Sequence, residues 1–265
     1  MLQQTQVSRV LQLYPKFLGK FPTLRSLASA PRADVVLAWR GLGYNNRAVR
    51  LHRLAGHLHD DHAGKLPRDF ETLLTLPGIG RYTAAALLVS VHGIDAPVVD
   101  VNIQRFLSRM FWPMRSTTDM RSGREIEILS TRLLPAGRGY VWTQALMDLG
   151  ATVCTARAPQ CHLCPVAALC MSRTLMTRDR VNAPKREPSL AGVPNRIYRG
   201  RIVEELRGNT GRTGIGLSDL GRRIHPAFAA RHERWLKGLL GGLQKDGLVT
   251  VKGNGTLRGS RVRLA

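Results

Sequence analysis

Three features of the sequence predict a mainly α protein with a small α+β domain at its C-terminal end. The first hundred residues carry apolar side chains at helical spacing, and no convincing alternating strand precedes residue 190. Four cysteines, the full complement of the chain, fall within 17 residues just past the middle. The last seventy residues read as three helices and then a hairpin. With 265 residues and 43% apolar content, the chain can bury a core and divide into two or three modest domains. Forty Lys+Arg against eighteen Asp+Glu give a formal charge of +22 and a pI near 11.3. A protein this basic is expected to meet a polyanion, nucleic acid first among them. No apolar run approaches the ~20 residues of a membrane span, so a membrane role is not expected. With no secretory signal at the start, the expected address is the cytoplasm, or the nucleoid in a bacterium.

In chain order, Gln4 to Phe17 places Val7, Val10, Leu11, Leu13 and Tyr14 mostly three and four apart, one buried helical face. Phe21-Pro22-Thr23-Leu24 marks a boundary before a short helix through Leu27 and Ala28. Asp34 is the expected N-cap of a helix through Val35, Val36, Leu37 and Trp39. Gly41-Leu42-Gly43-Tyr44 interrupts the pattern, and Arg47 to His59 resumes it.

Chemistry begins at Leu76-Pro77-Gly78-Ile79-Gly80-Arg81-Tyr82-Thr83-Ala84. A helix from about Asp69 is expected to end at Pro77, and Ala84-Ala85-Ala86 to open the next. Gly78 and Gly80 let the backbone turn tightly and approach a ligand with no Cβ in the way. The unpaired N–H groups of the new helix, with the positive end of its dipole, suit a phosphate. Such a turn can grip a DNA backbone without reading bases, although an ordinary interhelical turn has the same outline. Further on, Val98-Val99-Asp100-Val101-Asn102 puts a carboxylate just before a helical run. Asp100 reads first as an N-cap. Held that way against a cleft, it could also stabilise an oxocarbenium-like transition state.

The cysteines run Cys154-x6-Cys161-x2-Cys164-x5-Cys170. Four thiolates can close a shell around zinc or hold a [4Fe–4S] cluster. The first gap is long for a zinc ribbon, which favours iron–sulfur without deciding it. Beyond Cys170, residues 173 to 195 form a basic linker with Pro184, Pro188 and Pro194 among Arg178, Arg180, Lys185 and Arg186. Residues 196 to 265 hold 15 Lys+Arg and 5 Asp+Glu. Arg201 to Leu206, Leu217 to Ile224 and Ala230 to Gln244 are expected helices. Leu248 to Lys252, the turn Gly253-Asn254-Gly255, and Arg261 to Leu264 are the expected hairpin. The order suggests a winged-helix-like basic module with Arg231, Arg234 and Lys237 on its third helix, set against DNA or simply capping the core.

Taken together, Met1-Leu2-Gln3-Gln4-Thr5-Gln6-Val7, Gly41-Leu42-Gly43-Tyr44, Leu76 to Thr83, Val99-Asp100-Val101-Asn102, Gln144 to Ala151 and the cysteine loop resemble, in order, adenine DNA glycosylases of the MutY type. These belong to the helix-hairpin-helix superfamily that includes endonuclease III. The resemblance covers about residues 1 to 172. It implies a helical-barrel part over about 1–94, an iron–sulfur part over 95–172 with a [4Fe–4S] cluster on Cys154, Cys161, Cys164 and Cys170, the linker 173–195, and a separate C-terminal domain. It implies that Asp100 stabilises the cationic sugar, that Gln4 and Tyr44 wedge into the duplex within a DNA-contacting set that includes Gln3 and Thr5, that Gly78 and Gly80 hold phosphate, and that Gln144 reads the extruded adenine. An enzyme that acts on a stacked base must flip it, fill the gap and read its edge, and this set supplies each part.

Tyr82 stands where bifunctional relatives carry a Schiff-base lysine, so the resemblance implies a monofunctional glycosylase. The expected activity is release of adenine mispaired with 8-oxoguanine or guanine from double-stranded DNA, by a monomer. The alternatives are a thymine–guanine mismatch glycosylase and a lesion-binding protein. The latter arises because the family's general acid is a glutamate two residues before the Met-Leu-Gln-Gln string, and the sequence opens at that methionine. Either the start lies upstream of Met1, or the chain binds better than it cuts. The C-terminal domain does not resemble the nucleotide-hydrolase-like domain that many MutY proteins use to recognise 8-oxoguanine.

Overall fold

A computed structural model of the chain describes residues 1–2, 4–116, 119–175, 187–209, 213–254 and 256–265. Gln3, the linker residues Arg178, Arg180, Pro184, Lys185 and Arg186, and the turn residue Gly255 lie outside the described residues. The chain compacts as two units, one from Met1–Leu66 with Lys185–Ala265, the other from Pro67–Pro184.

The first unit begins with α1 (Val7–Lys20), α2 (Leu24–Ser29), α3 (Arg32–Ala38) and α4 (Asn46–Asp61). The first helix starts three residues later than its apolar period suggests, because Gln4 sits at φ 55, outside the helical region. Asp34 is not the cap of α3, a correction to the sequence expectation. Pro31 precedes the helix in extended geometry and Asp34 falls in the first turn, where its charge meets the positive end of the dipole. Thr23 and Ser26 close a capping box on α2.

The same unit continues with the short strands β1 (Ser189–Leu190) and β2 (Val193–Pro194), then α10 (Asn195–Gly208), numbered after the five helices of the second unit, α5 to α9. It ends with β3 (Ile215–Gly216), α11 (Leu217–Ile224), α12 (Glu233–Lys245), β4 (Val249–Gly253) and β5 (Ser260–Leu264). The three strands pair antiparallel in the order β3-β5-β4, with Val262 opposite both Ile215 and Val251. Three helices, a short strand before the second, and a closing hairpin follow the element order of the winged-helix-like module that the sequence predicts. They compact with Met1–Leu66 into one unit, however, and do not stand as a domain apart. Leu236, Leu239, Leu240 and Leu243 bury one face of α12.

One apolar core joins the two ends of this unit, from Val10, Phe17 and Trp39 through Tyr198 and Ile202 to Leu240 and Val262. Phe17 meets Trp39 edge-on at 5.7 Å, and Tyr198 meets Trp235 edge-on at 4.8 Å. Arg207 is the polar tie. Its side chain is 6% exposed, and Nη2 donates to Val36 O and Asn45 Oδ1, both at 2.8 Å, while Nη1 reaches Glu204. Glu204 also pairs with Arg40. Burial lowers the Arg207 pKa, so these acceptors offset a real desolvation cost.

The second unit contains α5 (Phe70–Thr75), α6 (Arg81–His92), α7 (Val101–Phe111), α8 (Gly123–Leu133) and α9 (Gly139–Asp148). The backbone then widens into one π turn, Leu149–Val153, before the cysteine loop. Ile103, Phe106, Leu107, Ile126 and Leu146 form the centre of its core.

Candidate active site

Asp100 caps α7, as its position in the sequence predicts. Its Oδ1 accepts from Ile103 N at 2.7 Å and its Oδ2 from Asn102 Nδ2 at 2.9 Å. Both oxygens are thus fixed by neighbours two and three residues along, and the carboxylate stays half-buried. It lines a cleft of about 570 Å³ together with Arg81, Tyr82, Pro97, Val99, Gln104 and Glu127. Tyr82 sits beside it on the first turn of α6. Burial, and then the charge of Asp100, push the Tyr82 phenol upward, so it remains a neutral hydroxyl at neutral pH. Glu127 in the same cleft is engaged on both oxygens, Oε1 by Arg81 and Oε2 by Arg81 and Arg124.

Ahead of Tyr82, Gly78 adopts φ +80, a left-handed turn that a side chain resists. Gly80 caps α6 in extended geometry and, being glycine, brings no side-chain cap to the free N–H groups of that helix end. A Cβ at Gly80 would meet nothing within 4 Å, so the surface there is open to an approaching ligand. Gln144, by contrast, is exposed on α9 and is not among the residues lining the cleft.

Asn102, Arg105 and Arg109 are the residues whose importance the sequence reading missed. Asn102 Oδ1 accepts from Arg105 Nη2 at 3.0 Å. Arg105 in turn donates Nε to Cys154 O at 2.9 Å and Nη2 to Gly150 O at 2.6 Å. An unbroken polar chain therefore runs from the Asp100 carboxylate to the backbone of the first cysteine. Burial, then repulsion from Arg109, lower the Arg105 pKa, and Cys154 and Asp100 act against that shift. The π turn makes this geometry possible. A Cβ at Gly150 would lie 2.9 Å from both the Asn102 carbonyl oxygen and Asn102 Cβ, so only glycine lets the turn close on α7. The signal available in the sequence was the recurrence of Arg at positions 105 and 109, one helical turn apart on a buried face.

Arg109 is 2% exposed. Its Nη1 donates to Thr155 O at 2.7 Å and lies 3.4 Å from Cys154 Sγ, and Nη2 donates to Ala156 O. The Arg109 carbonyl accepts from Cys170 Sγ at 3.3 Å. The four cysteines line one pocket with Phe106, Arg109 and Pro159. Burial pushes the Cys170 thiol up, the Ser172 backbone opposes that shift, and Cys154, Cys161 and Cys164 add to it. Among the described residues no three such side chains gather as tightly as around a single ion. The sulfurs surround a pocket rather than a point. A buried guanidinium with no carboxylate partner needs compensating negative charge, and four thiolates on a cluster would supply it. The donor set fits an iron–sulfur cluster.

In the other unit, Thr5, Gly41 to Tyr44 and Arg47 form a local assembly. Thr5 Oγ1 donates to Leu42 O at 3.0 Å, and Arg47 donates to Met1 O, Thr5 Oγ1 and Leu42 O, each at 2.8 Å. The Arg47 guanidinium lies 5.5 Å from the Trp39 ring centroid and 5.6 Å from that of Tyr44. Gln4 at φ 55 and Tyr44 at φ 44 are both exposed and both held in the left-handed region. Neither is glycine, so the surrounding bonds maintain a costly backbone at two wedge candidates.

The chain is similar to known proteins over most of its length. Residues 1–130 match the family of HhH-GPD superfamily base excision DNA repair proteins, and residues 154–170 match the iron–sulfur binding domain of endonuclease III. The adenine DNA glycosylase of Mycolicibacterium smegmatis is 38% identical over 211 residues, covering 79% of this chain and 70% of the relative. The human adenine DNA glycosylase is 38% identical over 218 residues, covering 82% of this chain and 38% of its own length. Among solved structures, a thermostable thymine-DNA glycosylase aligns with TM-score 0.59 and 29% identity over 65% of this chain and 79% of that one. A trapped endonuclease III–DNA covalent intermediate aligns with TM-score 0.56 and 26% identity over 64% of this chain and 78% of that one.

Proposed function

Because the chain belongs to the adenine DNA glycosylases of the HhH-GPD superfamily, we propose that it excises adenine mispaired with 8-oxoguanine or guanine, with Asp100 as its catalytic carboxylate. It is a base-excision repair glycosylase, an iron–sulfur protein and a DNA-binding protein. The single observation that carries the catalytic assignment is the Asp100 carboxylate, locked by Ile103 and Asn102 on the wall of the Tyr82 cleft. As the C1′–N bond of the extruded nucleotide breaks, its electron pair leaves with the base and positive charge develops on the sugar. A carboxylate fixed beforehand stabilises that charge without reorganising. Water then adds at C1′ and releases a proton. Tyr82 has no amine and forms no Schiff base, so the strand is left uncut.

The proton for the departing base comes from elsewhere than Glu127, whose two oxygens are already acceptors for Arg81 and Arg124. Gly78, Gly80 and the open end of α6 hold a backbone phosphate. Gln4, Thr5 and Tyr44 contact the duplex, and Gln3 lies beside them in sequence. Gln144, exposed on α9 and outside the lining of the Asp100 cleft, is the residue assigned to the adenine edge. Cys154, Cys161, Cys164 and Cys170 would hold a [4Fe–4S] cluster, which when bound fixes the loop between them and supplies negative charge beside Arg109. The working unit is a monomer.

The test is single-turnover base release from an 8-oxoguanine:adenine duplex by the chain, by a version extended upstream in frame, and by Asp100→Asn. Adenine release by the parent protein, lost by about a thousandfold or more in Asp100→Asn with duplex affinity retained, supports the assignment. Equal rates in parent and variant overturn it. Because the thermostable neighbour is a thymine-DNA glycosylase, a guanine:thymine duplex is run alongside, and release of thymine alone would replace adenine as the substrate.

A further inference from the structure

The residues assigned to excision all lie outside the winged-helix-like module, yet residues 196 to 265 carry 15 Lys+Arg against 5 Asp+Glu. The structure accounts for every one of those five carboxylates. Glu204 pairs with Arg40 and Arg207, Glu205 with Arg223, Asp219 with Arg222, Glu233 with Lys237, and Asp246 with Arg199. Neutralised within the fold, they leave a surplus of cations, and its placement is not even. Among the described residues, Arg234 and Lys245 on α12, and Lys252, Arg258 and Arg263 on the β4–β5 hairpin, are exposed and have no protein partner.

Along α12, Arg234, Gly238, Gly241 and Lys245 stand at i, i+4, i+7 and i+11, one exposed line down the face opposite the buried leucines. At ~1.5 Å per residue the two cations are roughly 16 Å apart along the axis. Glycine within a helix costs about 1 kcal/mol relative to alanine, and a Cβ at Gly238 or Gly241 would meet nothing within 4 Å. Among the described residues, no contact explains either glycine. The hairpin beyond is anchored, not loose: Leu257 packs on the core, and its carbonyl accepts from Ser218 N at 3.3 Å.

We propose that α12 and the β4–β5 hairpin form a second binding surface for double-stranded DNA, separate from the Asp100 cleft. α11 (Leu217–Ile224) precedes α12 (Glu233–Lys245) in the chain order of a winged-helix module, where the last helix before the hairpin enters a major groove. The Gly238–Gly241 stretch lets the backbone come close, while Arg234 and Lys245 reach phosphates on either side and the hairpin cations follow the strand. With Arg234 and Lys245 both given to phosphates and no Asn or Gln on the exposed line, the contact positions the duplex without reading sequence. A-form RNA has a major groove too narrow for a helix, which sets duplex DNA ahead of duplex RNA.

The experiment measures binding of the full chain to a fully matched, undamaged duplex by fluorescence anisotropy over a series of salt concentrations. The probe holds no mispair, so the result is independent of whether adenine is the excised base. Arg234→Ala/Lys245→Ala is expected to weaken binding about tenfold or more and to flatten the slope of log affinity against log salt by about 1.8, the value for two lost phosphate contacts. Gly238→Ala/Gly241→Ala guards against a folding artefact. It is expected to raise the thermal midpoint, by removing helix glycines, while weakening duplex binding severalfold. Unchanged affinity and slope in both variants would overturn the proposal, as would a loss confined to single-stranded RNA or to an acidic peptide.

Discussion

Two helices of similar length, α7 and α12, solve the placement of positive charge in opposite ways. α7 turns Arg105 and Arg109 inward, 6% and 2% exposed, and gives them the carbonyls of Gly150, Cys154, Thr155 and Ala156. α12 turns only leucines inward and leaves Arg234 and Lys245 in solvent. Buried guanidinium groups are costly unless their donors are met. Although Arg109 Nε has no partner among the described residues, the remaining donors of Arg105 and Arg109 hold the cysteine loop, the π turn and Asn102 in one arrangement. Exposed cations force nothing in the fold. Their energy is screened by salt, and they act on whatever polyanion arrives. Charge serves geometry in one helix and attraction in the other.

The sharpest way to break this contrast is to truncate one arginine from each. Arg109→Ala should destabilise its unit by about 3–5 kcal/mol, because the carbonyls of Thr155 and Ala156 and the cysteine thiolates lose their buried partner. Arg234→Ala should stay within about 0.5 kcal/mol. Denaturant unfolding followed by circular dichroism, with visible absorbance of the cluster as a second readout, separates the two. Equal effects would mean that Arg109 is no more structural than a surface cation.

Next in size is the apolar face of α12. Leu240→Ala removes a side chain that is 2% exposed and should cost about 2–5 kcal/mol, read in the same unfolding experiment. If the contrast holds, this loss leaves the visible absorbance intact at temperatures where Arg109→Ala has already bleached.

The polar chain from α7 gives a smaller, kinetic prediction. Asn102→Ala removes a donor to Asp100 Oδ2 and the acceptor for Arg105. Single-turnover excision should slow about 10–100-fold, worth about 1.4–2.8 kcal/mol of transition-state stabilisation, with duplex affinity little changed. A fall in affinity alone would show that the chain serves binding instead.

The smallest effect belongs to a surface cap in the same unit as α7. Glu125 accepts from the Ser122 backbone and hydroxyl, and these bonds lower its pKa. A depressed carboxylate contributes stability above its unfolded value, near 4.3, that is lost as pH falls through the folded value. The thermal midpoints of the parent and Ser122→Ala should therefore differ slightly at pH 7 and converge in acid only as pH falls below the depressed folded value of Glu125. A gap that persists at low pH would assign the effect to the helix cap alone.

Much of this molecule was legible from neighbours in the sequence. The cysteine spacing, the Asp100 cap, the two-glycine turn before α6 and the C-terminal hairpin all depend on residues within a few positions of one another. Local chemistry fixes such features, and they appear where the pattern places them. Even locally there were limits: Asp34 lost the cap of α3 because Pro31 had already set the entry of the chain. What only the tertiary structure decided are the contacts between distant residues. Arg105 meets Cys154 across 49 positions, Arg207 meets Val36 across 171, and Gly150 is glycine because Asn102 lies against it. No period or motif records such pairs, since an arginine reads the same whether water or a buried carbonyl receives its protons. Its role is set by which surface the folded chain brings to it.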